Sequence, residues 1–152
     1  MSQDFIMDLI DKLELKLECE FSYEGNPDML NTCPMGTLDY KCKLKSKYDE
    51  IDFYFSLGPY YNTPPDIPIV LRSLVFDSIM GCFEFDYWCE QLNVDIHDKL
   101  AQNAYNKIQE RIPIMLNLLG LHESDEYEGV TDIDILTDFY NKEIMGLKCE
   151  IA

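Results

Sequence analysis

The hydrophobic period changes several times along the chain, and each change marks an expected element. Phe5, Ile6, Leu9 and Ile10 recur at helical spacing and predict a short amphipathic helix over residues 4–12. From Leu13 the period drops to two. Leu13, Leu15, Leu17, Cys19, Phe21 and Tyr23 alternate with Glu14, Lys16, Glu18, Glu20 and Ser22, which predicts a strand with one buried and one wet face. The stretch from Gly25 to Gly36 reads as a loop. A second strand is expected over about 37–46, with Leu38, Tyr40, Cys42 and Leu44 inward and Asp39, Lys41, Lys43 and Lys45 outward. Lys47 to Glu50 reads as a turn. A third strand over 51–57 turns Ile51, Phe53, Phe55 and Leu57 inward and closes an antiparallel hairpin.

Helical spacing returns after the loop PYYNTPP. Asp66 suits an N-cap, and Ile67, Val70, Leu71, Leu74, Val75 and Ile79 fall on one stripe that Gly81 ends. A short helix follows, with Phe85, Trp88, Cys89 and Leu92 on one face. Asp95 is then expected to cap the longest helix, about 96–119, with a stripe from Leu100 and Ala101 through Ala104, Tyr105, Ile108, Ile112 and Met115 to Leu116 and Leu119. Gly120 suits its C′ position. Pro113 predicts a kink, because its nitrogen has no hydrogen to donate one turn back. HESDEYEGVTD reads as an acidic loop, and Ile133, Leu136, Tyr140, Ile144 and Leu147 as a final amphipathic helix. The expected fold is a single α+β domain over residues 1–152: a three-stranded antiparallel sheet with four to five helices packed on its apolar face.

Composition narrows the function more than the fold. Hydrophobic residues make up 47% of the 152 positions, with 10 Tyr and 8 Phe, enough for one buried core. The 29 acidic residues against 12 Lys and Arg leave a net charge of −17. Such a field repels nucleic acid and anionic lipid and draws in basic protein surfaces, so direct nucleic-acid or membrane contact is not expected. Acidity serving solubility alone is the other reading. The six cysteines show no CxxC pair and no zinc-ribbon spacing, and several fall on apolar faces, as reduced thiols do. With an acidic N-terminus and no apolar run near ~18 residues, a cytoplasmic location is expected.

Four features hold candidate chemistry. His97 and His122, the two histidines, belong to no triad or metal pattern, so no catalytic residue, metal or cofactor is expected. Lys41, Lys43, Lys45 and Lys47 form a basic stripe, read either as a phosphate patch or as cross-strand partners of Glu14, Glu18 and Glu20. Residues 37–50 carry a net +1, which leaves −18 on the rest of the chain. Glu123, Asp125, Glu126, Glu128, Asp132, Asp134 and Asp138 form a carboxylate series. It lacks the Gly and the twelfth-position Glu of a calcium loop. Such a row can imitate backbone phosphates and capture the Lys and Arg of a protein partner, or it can be a solvated tail. Tyr60 and Tyr61, beside Gly58 and three prolines, are either binding anchors or caps on the edge of the core.

From Phe53 to Gly120 the order of features resembles a family of small acidic bacteriophage and prophage proteins of unknown function. The carrying residues are the strand FYFSLG, the Pro-containing helix entry PPDIPIVLRSLVFDS, then FEFDYWCEQLNVDIHDKLAQNAYNKIQ and a Leu-Leu-Gly stop. Phe85, Asp86, Trp88, Cys89 and Asp95 match the family's cluster ahead of its long helix. The N-terminal helix and the acidic C-terminal tail depart from it. The resemblance implies a phage or mobile-element origin, and small acidic phage proteins look like inhibitors of host defence nucleases, of anti-restriction and anti-CRISPR type. Binding the basic nucleic-acid surface of such a nuclease is therefore the expected function. The rival is an immunity-type or regulatory module that binds its partner through an aromatic patch.

Overall fold

The computed structural model describes residues 2–26, 38–58, 63–122 and 124–144. Its elements run α1 (Ser2–Leu13), β1 (Lys16–Phe21), β2 (Leu38–Lys45), β3 (Glu50–Leu57), α2 (Ile67–Gly81), α3 (Phe85–Leu92), α4 (Lys99–Leu118), a 3-10 turn (Asp125–Tyr127) and α5 (Asp132–Phe139), which passes into a π turn (Tyr140–Ile144). The strands form an antiparallel sheet in the order β1-β2-β3, so the fold is α+β with a three-stranded sheet and five helices.

The period-2 pattern sets the faces. Tyr40, Cys42 and Leu44 of β2 and Ile51, Phe53 and Leu57 of β3 are buried together with Val70, Leu71, Leu74 and Val75 of α2 and Ile112, Met115 and Leu116 of α4. Ile135, Leu136 and Phe139 of α5 close the same core. Each of the Val, Leu, Ile, Phe and Met side chains among them contributes about 1.5–3 kcal/mol by leaving water. A smaller cluster, Trp88, Cys89, Ala101 and Ala104, lies between α3 and α4 beside this core rather than within it.

Local chemistry shifts several expected boundaries. Leu13 ends α1 instead of opening the strand: Leu15 N–H donates to Ile10 O at 3.0 Å, and Glu14 takes a left-handed φ of 55°. β1 therefore spans six residues, and Tyr23 beyond it is 93% exposed. Lys47 leaves the basic stripe, because Ser46 is buried in the β2–β3 turn. The Ser46 hydroxyl donates to Leu118 O at 2.5 Å and accepts the Tyr48 N–H at 3.0 Å. Asp98, not Asp95, caps α4, accepting the Leu100 N–H at 2.9 Å, while Asp95 holds a preceding turn through the His97 N–H. Leu92 and Leu100 are exposed rather than inward, since α3 and α4 meet through Trp88, Cys89 and the two alanines. α4 runs on through Pro113, whose side is open to solvent. At its end Gly120 has φ 70°, and Leu121 N–H returns to Leu116 O at 2.9 Å, the expected glycine C′ geometry. The Gly25–Gly36 loop lies mostly outside the described residues, as do Cys33, Leu147 and Cys149.

Candidate functional site

The carboxylate series is built on two short capped turns. Ser124 Oγ accepts the Glu126 N–H at 3.3 Å and starts the 3-10 turn. Thr131 Oγ1 accepts the Asp134 N–H at 3.4 Å and starts α5, whose positive end favours Asp132 and Asp134 in its first turn. Asp134 also accepts the Thr131 hydroxyl at 2.7 Å.

A polar knot joins the two turns. Tyr127 OH donates to Asp138 Oδ2 at 2.8 Å, and Lys142 Nζ lies 3.0 Å from that oxygen and 2.8 Å from Glu126 Oε1. These bonds, Lys142 first and then Tyr127, hold the Asp138 carboxyl below its usual range. Desolvation and the bond to Asp138 push the Tyr127 phenol up to about 12. Lys142 thus offsets one of the two charges on Glu126 and Asp138, whereas Asp125, Glu128 and Asp132 surround a shallow basin of about 480 Å³ beside His122. All three are exposed. Among the described residues, no three His, Cys, Asp or Glu side chains converge to hold a metal ion. Glu123, Tyr60 and Tyr61 lie outside the described residues.

The polar face of the sheet forms a second concavity of about 660 Å³. Register sets Lys41 between Glu20 and Tyr54, and Lys43 between Glu18 and Asp52. Lys43 Nζ lies 3.5 Å from Glu50 Oε2. Glu14, in the turn before β1, is not on this face. Lys47 lies 5.3 Å from the Tyr48 ring centroid as a cation–π pair.

α4 adds Lys107 and Arg111 to the rim. The groove lining therefore balances three carboxylates with four cations in a chain of net −17. An adjoining cleft of about 250 Å³ shares Tyr54, Lys107 and Arg111 and adds Asp77 and Trp88. Sequence reasoning missed this basic rim. Lys107 and Arg111 sit four apart on the wet side of a helix, and only helix placement brings that side to the sheet. Comparison with protein-family models, curated proteins and solved structures finds no match to this chain.

Proposed function

We propose that this chain is a non-enzymatic inhibitor from a phage or mobile element that acts in the host cytoplasm. Its target is the basic nucleic-acid-binding surface of a host defence nuclease, of anti-CRISPR or anti-restriction type. The carboxylates of the 3-10 turn and α5 stand in for backbone phosphates. The observation that supports this most is the exposure of Asp125, Glu128 and Asp132 on turns already fixed by caps and by the Tyr127–Asp138–Lys142 knot. Charges carried on a backbone that is already ordered lose only side-chain freedom on binding, so more of their attraction to Lys and Arg is retained as affinity. The net charge of −17 adds steering toward a basic partner.

The test is capture from a lysate of bacteria with active defence systems, washed first at low salt and then at about 0.5 M, where exposed charges are screened. A nuclease that elutes in the second wash, and that an Asp125→Lys/Glu128→Lys/Asp132→Lys variant fails to capture, is the expected result. Undiminished capture by that variant would remove the mimicry mechanism. A partner that resists the salt wash would favour the immunity-type reading. For that reading Phe21 and Tyr23 offer an exposed aromatic pair with ring centroids 5.0 Å apart.

A further inference from the structure

Cys19 and Cys42 stand directly opposite one another across β1 and β2, both as free thiols, with Sγ atoms 3.5 Å apart. The kind of strand pair decides what they can do. Ser22 N–H donates to Asp39 O at 2.8 Å, so the even-numbered residues of β1 make the hydrogen-bonded pairs with β2. Cys19 and Cys42 form a pair of the other kind, in which Cα atoms approach to about 4.5 Å. Disulfides span Cα separations of about 4.4–6.8 Å, so the backbone spacing is already suitable. Side-chain rotation alone has to bring the sulfurs to about 2.05 Å. Accessibility is divided between the two: Cys19, on the edge strand, is partly open to solvent, whereas Cys42 is 4% exposed.

We propose that Cys19 and Cys42 form a reversible cross-strand disulfide, with a small-molecule disulfide of the glutathione type as oxidant. The Cys19 thiolate attacks one sulfur of the oxidant, which gives a mixed disulfide and releases one small thiolate. Cys42 then loses its proton to solvent base and attacks the Cys19 sulfur. The protein S–S bond forms and the second small thiolate leaves. Two protein thiols lose two electrons and two protons, and the oxidant becomes two thiols. Burial, followed by the neighbouring Cys19, pushes the Cys42 thiol up to about 12, which makes the second step the slow one and speeds it as pH rises. Closure fastens the edge strand to the middle of the sheet.

The full chain is equilibrated at about pH 8 in graded mixtures of oxidised and reduced glutathione, quenched with acid, alkylated, and analysed by intact mass and by peptide mapping. The expected result is a loss of about 2 Da, a peptide linking Cys19 to Cys42, reversal by reduced glutathione, and a melting temperature raised by about 5–10 °C. Cys19→Ser, at the more open position, is expected to keep the native circular-dichroism spectrum and to abolish the mass loss. Cys33→Ser/Cys149→Ser is expected to retain it. Thiols that stay fully alkylatable in excess oxidant, a Cys19 that stops as the glutathione adduct, or a link to any other cysteine would each overturn the proposal.

Discussion

Asp77 shows how one residue acquires chemistry from its neighbours. It lies on α2 in the cleft lined by Met80, Trp88 and Ile108, with Arg111 across from it. Desolvation pushes its carboxyl up from 3.8 to about 6, and the Arg111 charge draws it partway back. The folded chain therefore binds this proton more tightly than the unfolded chain. Between about pH 4 and pH 6 the folded state holds more protons, so stability falls as pH rises through that window, and above it the cost stays constant. Unscreened, a shift of this size costs about 3 kcal/mol, but Asp77 remains exposed and water screens it to about 1 kcal/mol. Asp77→Asn should then stabilise the fold by about 1 kcal/mol near pH 7 and leave it unchanged near pH 4, as read from urea midpoints. An equal effect at both pH values would show that titration is not its cause. Ser46 is a second case. Its side chain reads as a polar end of a strand, yet its partner, the Leu118 carbonyl, lies 72 positions away.

At the scale of elements, competition between caps decides boundaries that periodicity leaves open. Asp95 and Asp98 are both good N-caps three residues apart, and the apolar stripe of α4 is compatible with a start after either. Ala101 and Ala104 pack against Trp88 and Cys89, and this contact places the first helical turn at Lys99, with Asp98 as its cap. Asp98→Ala is expected to cost about 0.5–2 kcal/mol, and Asp95→Ala, which loses only the turn to the His97 N–H, clearly less. Thermal melts of the two variants separate the roles, and equal losses would mean that both caps act on the helix. The end of β1 follows the same logic. The alternation continues to Tyr23, but the ladder to β2 ends one step past the Phe21–Tyr40 pair, with the Ser22 N–H on Asp39 O, so Tyr23 stands in water while still touching the Phe21 ring.

For the whole molecule, a net charge of −17 on one compact chain implies self-repulsion. Moderate salt should therefore stabilise the fold. The melting temperature is expected to rise by a few degrees as ionic strength goes from about 0.01 to 0.3 M, while the Debye length shrinks from about 30 Å to below 8 Å. A flat response in calorimetry would place the carboxylates too far apart to repel. No described helix is long and apolar enough to cross a membrane. By itself the sequence determined the class of the fold, the inward faces of β2 and β3 and that of β1 as far as Cys19, the stripe of α2 and that of α4 from Ala101 onward, the Asp66 cap and the Gly120 terminus. These depend on neighbours within a few positions, and a period of 2 or 3.6 records them. Phe21 and Leu100, inward by period, are exposed. Tertiary structure alone decided that Cys19 meets Cys42, that Lys142 reaches Glu126, and that Lys107 and Arg111 border the polar face of the sheet. Strand register and helix placement set those meetings. Both come from burying the shared apolar core, whose long-range geometry no local spacing encodes.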